Sequence, residues 1–190
     1  MDIKLYTIDT SYVDFLRTDP KLQNVFDNKD DSGSFLRKYL GVVLNVGKYQ
    51  YYVPLSSPKD SDYIISGRSK IIRNNIIPII RIVAEDKNGL PELKGTLKFS
   101  NMIPVPDSVL TYYDISQEQD IDYRILVEKE YEFIKKNRGL ILRNASVLYN
   151  QKTKEAELYP KGTKKPGYLA SVVDFKYAEQ VYDQYIASQL

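Results

Sequence analysis

Three residue types are missing from this chain: cysteine, histidine and tryptophan. The absence of cysteine excludes disulfides, thiolate nucleophiles and thiolate metal sites. The absence of histidine removes the usual general base and the usual imidazole ligand, and with them every Ser-His-Asp or Cys-His mechanism. An enzyme with this composition has to work with Ser, Thr, Tyr, Lys, Arg, Asp and Glu.

Long hydrophobic segments are missing as well. The wholly apolar runs reach only about five residues, far below the length of a transmembrane span. The first residues contain no apolar segment of the kind found in a signal peptide. We therefore expect no membrane association and a cytoplasmic location. The 190 residues are 43% apolar and 27% charged, which is ordinary for a globular protein, and we expect a single domain over residues 1–190.

The net charge of +2 hides a segregated distribution of charge. Residues 107–132 contain eight acids and two bases, whereas residues 135–165 contain nine bases and two acids. Residues 63–84 contain four bases and no acid. If the two basic stretches share a face, they would form a binding surface for a polyanion. The alternative is an ordinary solvated surface.

Alternating and β-branched residues predict a sheet in the first part of the chain. The predicted strands are residues 3–8, 39–46, 49–55, 76–84, 96–99 and 102–105. Gly47-Lys48 would turn the hairpin between the second and third of these. Pro78 favours an edge position or a bulge. Most of the 17 tyrosines are expected in this β-rich core, although tyrosine also suits surfaces that stack on bases.

Helices are predicted at four places. The first begins near Ser11, with Asp14 in a capping-box-like position. The helical spacing of apolar residues from Tyr123 to Ile134 predicts a second helix that ends at Gly139. A third covers residues 140–149, and the last begins at the caps Ser171 and Asp174. The predicted fold is α+β, with a strongly twisted antiparallel sheet and helices packed around it.

The segment Ser56-Ser57-Pro58-Lys59, at the end of a predicted strand, is the most suggestive for chemistry. It places two hydroxyls and an ammonium within four residues, and Pro58 restricts the turn that presents them. Such groups can bind a phosphodiester and neutralise the charge that develops in its transition state. The alternative is an ordinary Ser-Pro turn.

Other candidate sites are weaker. Acidic pairs occur at positions 60 and 62 and at 120 and 122, but no third convergent ligand is visible, so we expect no metal. The chain has neither a phosphate-binding loop nor a dinucleotide fingerprint, so we expect no cofactor. Lys164 and Lys165, in a glycine-flanked segment, could bind phosphates, or could belong to a plain surface loop.

Several stretches, taken in order, carry a resemblance to a known family. They are residues 5–8 with Tyr12, and residues 39–44, 49–55, 95–99, 102–105 and 131–135. The sharpest is Pro54-Leu55-Ser56-Ser57-Pro58-Lys59, which is similar to a Pro-Leu-[Ser/Thr]-Ser-Pro-Lys active-site turn. On this ordered set, which covers most of the chain, the protein resembles the ToxN/AbiQ endoribonucleases, the toxins of type III toxin–antitoxin systems.

The resemblance implies a cytoplasmic nuclease that cleaves RNA without a metal and leaves a 2′,3′-cyclic phosphate and a 5′-hydroxyl. It implies a fold like that of the Kid/MazF toxins, partly barrel-like. The partners would be target mRNA and an RNA antitoxin, a repeat folded as a pseudoknot that the toxin also processes. Toxin and antitoxin RNA would close into ring-like assemblies, and many such systems abort phage infection.

The resemblance also implies roles for residues. Ser57, with Ser56, would orient the scissile phosphate, and Lys59 would stabilise the phosphorane-like charge or protonate the leaving oxygen. The family has two further contributions to its active site. The one from the loop before the Gly41 strand would correspond here to Arg37 or Lys38, and the aromatic residue from a helix would correspond to Phe133. The predicted RNA-binding residues are Arg37, Lys38, Phe133, Lys135, Lys136, Arg138, Lys164 and Lys165.

Some assignments stay open from the sequence. The family's loop tyrosine has no counterpart between Asp19 and Ser34, so the general base is not identified. Phe133 could be a core residue, and Arg37 and Lys38 could be solvated charges. The competing hypothesis is a non-catalytic domain that binds RNA or another partner through the same basic face.

Overall fold

A computed structural model describes residues 3–29 and 35–189. It is an α+β structure, as predicted. The strands are β1 (Lys4–Ile8), β2 (Tyr39–Val46), β3 (Tyr49–Ser56), β4 (Tyr63–Ser66), β5 (Ser69–Ile72), β6 (Ile79–Glu85), β7 (Pro91–Lys98), β8 (Ile103–Pro104) and β9 (Leu110–Tyr112). The helices are α1 (Thr10–Thr18), α2 (Ile121–Lys136), α3 (Arg138–Thr153), α4 (Glu155–Leu158) and α5 (Phe175–Ser188).

The main sheet is antiparallel throughout. Its order is β6-β7-β3-β2-β1-β9, with β8 also paired to β3. β4 and β5 form a separate hairpin. Because β6 and β9 are the two ends of the order, the described strands do not close into a barrel. The expected likeness to the Kid/MazF toxins stays a prediction.

The β2–β3 hairpin turns at Gly47-Lys48, as the sequence predicted. Its register shifts between Leu40 and Leu44, where Gly41 lies against the ring of Tyr52. A Cβ on Gly41 would be 2.1 Å from Cδ1 of that ring, which is far inside van der Waals contact. The close approach of backbone to ring therefore requires glycine at this position.

Buried tyrosines occupy the core between the sheet and the helices, as expected. Tyr12, Tyr39 and Tyr51 are fully enclosed. The hydroxyl of Tyr12 donates to the carbonyl of Pro104 over 2.6 Å, and that of Tyr51 donates to Oε1 of Glu179 over 2.9 Å. The hydroxyls of Tyr12 and Tyr51 are thus satisfied inside the protein, which lowers the cost of burying these two large side chains, whereas the buried hydroxyl of Tyr39 has no hydrogen-bond partner among the described residues.

The structure corrects three predicted helix boundaries. α1 begins at Thr10, because the side chain of Asp9, and not Ser11, accepts the capping hydrogen bond. The break between α2 and α3 is at Asn137, and Gly139 lies in the first turn of α3. The last helix is capped by Asp174, whose side chain accepts from the amide of Tyr177, while Ser171 belongs to the preceding turn.

Three strands were not predicted: β4, β5 and β9. In the β4–β5 hairpin, the apolar residues Ile64, Ile65 and Ile71 are exposed. Its sequence does not alternate between apolar and polar residues as a half-buried strand does, and these two strands were therefore missed. β9 has only three residues and forms by pairing with β1. The predicted loop at residues 19–34 lies partly outside the described residues, and its described part contains a short 3-10 turn at Pro20–Leu22. Within residues 3–29 and 35–189, no helix is long and apolar enough to cross a membrane.

Candidate active site

Ser56 is the last residue of β3 and is held from both sides of the strand. The side-chain hydroxyl of Thr96 in β7 donates to its carbonyl over 3.3 Å. On the β2 side, the amide of Leu55 donates to the carbonyl of Lys38 over 2.9 Å. Ser56 is therefore buried, whereas Ser57, where the chain leaves the sheet, is exposed. Of the two predicted hydroxyl residues, one therefore lies in the core and the other lies at the surface.

Lys59 lies at the start of a short 3-10 turn, Asp60–Asp62. Its amide donates to Oδ2 of Asp62 over 3.1 Å, and the amide of Asp62 donates back to the carbonyl of Lys59 over 2.9 Å. The turn is closed by these two bonds, and the side chain of Lys59 is exposed. A constrained backbone with an exposed lysine side chain suits a residue that has to meet a phosphate.

A buried ion pair anchors this turn to the sheet. Oδ1 of Asp62 lies 3.0 Å from Nη2 of Arg81 in β6 and 3.7 Å from Nζ of Lys98 at the end of β7. Asp62 and Arg81 are both almost fully buried, so each charge needs the other. Arg81 is therefore not part of a basic surface, and the basic stretch at residues 63–84 offers fewer surface cations than its sequence suggests.

Ser56 and Ser57 border a small cavity of about 40 Å³. It is lined by Arg37, Lys38, Leu55, Ser56, Ser57, Lys94, Tyr123, Leu126 and Glu130. Four predicted site residues, the two serines with Arg37 and Lys38, are thus brought together. Lys94, Tyr123 and Glu130 were not predicted.

Lys59 borders a larger groove of about 700 Å³, a size typical of ligand-binding clefts. Its charged lining residues are Arg17, Asp27, Arg37, Lys59 and Lys98. Four cations against one acid give the groove a positive character, which favours the phosphates of a nucleic acid. Arg17 and Lys98 were missed because nothing in their local sequence marks them.

Arg37 lines both the cavity and the groove. Its guanidinium donates to the carbonyls of Leu55 and Asp27, each over 3.0 Å, and of Lys29 over 2.5 Å. Through these hydrogen bonds, Arg37 connects the segment before β2 to the end of β3. Contact of Arg37 with RNA stays a prediction.

Lys38 lies in an aromatic setting. Its ammonium donates to the carbonyl of Leu36 over 2.9 Å and lies 4.3 Å from the ring centroid of Tyr113. It is 5.5 Å from the ring of Tyr123, which stacks on Phe35 with 4.3 Å between centroids. Because aromatic rings attract a cation where water is excluded, these rings offset part of the desolvation that burial imposes on the Lys38 ammonium.

Glu130 is a buried acid on the inner face of α2. It lies in helical register with the buried Val127 and Ile134, and this was the signal that sequence reasoning overlooked. Its carboxyl passes over Gly95 in β7, where a Cβ would be 2.1 Å from Oε1. Burial raises the pKa of Glu130 to about 8, because the carboxylate is removed from water.

Known proteins resemble this chain over nearly its whole length. A family model for the toxin ToxN of type III toxin–antitoxin systems matches residues 4–183. The chain belongs to the ToxN family. The endoribonuclease ToxN of Bacillus thuringiensis subsp. kurstaki is 29% identical over 96% of this chain and 84% of its own length. The endoribonuclease AbiQ of Lactococcus lactis subsp. lactis is 26% identical, over 94% of this chain and 87% of its own.

A solved structure agrees with these sequence matches. It shows a bacterial type III system in which a non-coding RNA pseudoknot selectively inhibits the toxin. The ToxN-family chain described here aligns to it with a TM-score of 0.72 and 26% identity, covering 97% of this chain and 98% of that one. The described chain thus shares its α+β fold with a solved chain from a type III toxin–antitoxin system.

The other RNA-binding residues predicted for this ToxN-family chain do not line the cavity or the groove at the catalytic turn. Phe133 borders two other depressions, one of them together with Lys136, and the aromatic of α2 that reaches the cavity is Tyr123. Lys135 pairs with Glu132 on its own helix. Arg138 is exposed at the start of α3, Lys164 is exposed, and Lys165 lies 2.5 Å from Glu155. Their contact with RNA stays a prediction.

The candidate metal carboxylates have other roles in the structure. Asp120 caps α2, and Asp60 pairs with Lys70 over 3.0 Å. In the part of the chain that the structure describes, no group of three or more acidic, histidine or cysteine side chains is placed to hold a metal ion. Cleavage without a metal stays a prediction for the reaction itself.

Proposed function

We propose that this chain is a metal-independent endoribonuclease, the toxin of a type III toxin–antitoxin system, acting as one domain over residues 1–190. The observation that carries the proposal is the turn at the end of β3. It presents Ser56, Ser57 and Lys59 between a small polar cavity and a cationic groove. The ToxN and AbiQ relatives, both named endoribonucleases, support the same activity.

The reaction uses a nucleophile supplied by the substrate. A ribose 2′-hydroxyl attacks the adjacent phosphorus, and the products are a 2′,3′-cyclic phosphate and a 5′-hydroxyl. The protein has to hold the attacking oxygen in line and neutralise charge on the phosphoryl oxygens, so the lack of histidine and cysteine is no obstacle. Ser57 and Ser56 orient the phosphate. Lys59 stabilises the charge or protonates the leaving oxygen.

The groove beside Lys59 binds the flanking RNA. Arg17 and Lys98 lie along it with Lys59 and would contact phosphates on either side of the scissile bond. The predicted residues outside the groove, among them Phe133 and Lys136, would extend this surface to a longer RNA. Because phosphate contacts of this kind release counterions, binding should weaken steeply with salt.

The partners would be target mRNA and an antitoxin RNA folded as a pseudoknot. The solved type III structure, with its inhibitory RNA pseudoknot, supports this partner. The antitoxin would lie in the groove beside Lys59, would be processed from repeats by the toxin, and would close with it into a ring-like assembly in the cytoplasm. Short tandem repeats followed by a terminator, just upstream of the gene, would support this part; their absence would count against it. The fold likeness to the Kid/MazF toxins belongs to the same proposal.

The test of the activity is cleavage by the purified protein. Incubation with cellular RNA should yield fragments with 2′,3′-cyclic phosphate and 5′-hydroxyl ends, and expression without the antitoxin RNA should arrest growth. A protein that binds RNA tightly but leaves it intact would instead support the alternative, a non-catalytic RNA-binding domain.

A further inference from the structure

The cavity beside Ser56 and Ser57 contains a carboxyl group that the mechanism above does not use. Glu130 lines the cavity and is only 7% exposed. It reaches this place because Gly95 has no side chain: a Cβ there would lie 2.1 Å from Oε1 of Glu130 and 3.3 Å from the carbonyl oxygen of Ser56. The carboxyl is thus packed over the backbone of Gly95, on the strand next to Ser56, and both Glu130 and Ser56 line the cavity.

We propose that Glu130 is the general acid of the cleavage and donates its proton to the 5′-oxygen that leaves the scissile phosphate. This inference rests on the proposed endoribonuclease function. As the 2′-oxygen forms its bond to phosphorus, the bond from phosphorus to the 5′-oxygen breaks. The proton of Glu130 passes to that oxygen and gives the 5′-hydroxyl, and the proton of the 2′-hydroxyl passes to water. The Glu130 carboxylate then regains a proton from solvent.

The environment of Glu130 suits this role. With its pKa raised to about 8 by burial, the carboxyl is mostly neutral at neutral pH and can donate a proton. The titratable and charged groups that face the cavity are Arg37, Lys38, Lys94 and Tyr123. Three of these are cations, yet none of them cancels the effect of burial on the pKa of Glu130.

The size of the cavity decides how the proton reaches the substrate. About 40 Å³ holds a hydroxyl group or one water molecule, but no phosphodiester. The phosphate therefore lies outside, against the exposed Ser57 and the groove of Lys59. Its 5′-oxygen meets Glu130 at the cavity mouth, directly or through one water. The two roles left open for Lys59 are then resolved: it stabilises charge, and Glu130 supplies the proton.

The experiment replaces the leaving oxygen by sulfur. An RNA oligonucleotide with a mapped cleavage site is made in two forms, one normal and one with a 5′-bridging phosphorothiolate at the scissile position. A leaving thiolate needs no protonation, so general acid catalysis becomes unnecessary. We expect Glu130→Gln to cleave the normal RNA at least ~10²-fold more slowly than the wild type, and the thio-substituted RNA within several-fold of it. Glu128→Gln, an exposed acid on the same helix, should match the wild type on both.

The outcomes separate the possibilities. Equal losses on both substrates, or no loss on the normal one, would overturn the role of Glu130. Absence of cleavage by the wild-type protein would instead overturn the proposed function itself. If Glu130→Gln does not fold, the wild type alone decides: its rate on normal RNA should fall above about pH 8, while its rate on the thio-substituted RNA should not. Parallel pH profiles would reject the proposal.

Discussion

Asp62 and Arg81 form a buried ion pair with 3.0 Å between Oδ1 and Nη2. The second oxygen of the same carboxylate accepts the amide of Lys59. One side chain therefore links β6 to the turn that carries the candidate catalytic lysine, although Asp62 does not itself line the groove described above. The position of Lys59 depends on a charge pair inside the protein.

Replacing Asp62 should disturb both stability and activity. Asp62→Asn keeps the size of the side chain but leaves the buried guanidinium of Arg81 without its counter-charge, at a cost of about 3–5 kcal/mol. Urea unfolding and RNA cleavage would measure the two effects. The matched control is Asp60→Asn, because Asp60 is exposed and its pair with Lys70 is worth at most about 1 kcal/mol. Equal stability of the two variants would show that the buried pair does not anchor the turn.

The catalytic turn itself gives a second prediction. Lys59→Ala and Ser57→Ala should each lower cleavage by at least ~10²-fold, because each removes a group that stabilises or positions the reacting phosphate. Both side chains are exposed, so thermal unfolding should stay close to that of the wild type. Lys87→Ala, in the turn between β6 and β7, is a matched lysine control and should cleave normally. Full cleavage by folded Lys59→Ala protein would contradict the mechanism.

Chelation gives a third prediction. Cleavage should proceed unchanged in EDTA, because hydroxyl and ammonium groups perform the charge neutralisation that a metal would otherwise supply. The measurement is the initial rate on a defined RNA with and without the chelator. Loss of activity in EDTA, with recovery on addition of Mg²⁺, would bring back the acidic pairs as candidate ligands.

The local parts of the site could be predicted from the sequence, and the long-range parts could not. The hydroxyls and the ammonium of the turn lie within four residues, so their neighbourhood was visible in the sequence. Arg81 meets Asp62, and Glu130 lines the same cavity as Ser56, only because the β6–β7 pairing and the packing of α2 bring these residues together. No local pattern encodes such contacts.

The same distinction holds for the fold. The β2–β3 hairpin was predicted because alternation and a turn signal lie in one segment. β9 was missed because its three residues become a strand only by pairing with β1. The predicted boundary between α2 and α3 was wrong by two residues. Gly139 favoured a helix end at position 139, but α2 is capped at Asn137, whose amide donates to the carbonyl of Phe133.

The buried Glu130 gives the last prediction, a dependence of stability on pH. Burial raises its pKa from the usual 4.5 to about 8 in the folded protein, so the folded state binds the proton more tightly than the unfolded state. Its contribution to stability is therefore complete below pH 4.5 and is lost as the pH rises towards 8. Glu130→Gln cannot ionise, so relative to the wild type it should gain stability over this range, by a few kcal/mol at roughly pH 8. Urea unfolding at about pH 5 and about pH 8.5 measures the difference, with Glu128→Gln expected to follow the wild type. If the stabilities of wild type and Glu130→Gln change in parallel with pH, the pKa of Glu130 is not raised by folding. Its carboxyl would then be ionised in the folded protein at neutral pH and could not be the proton donor.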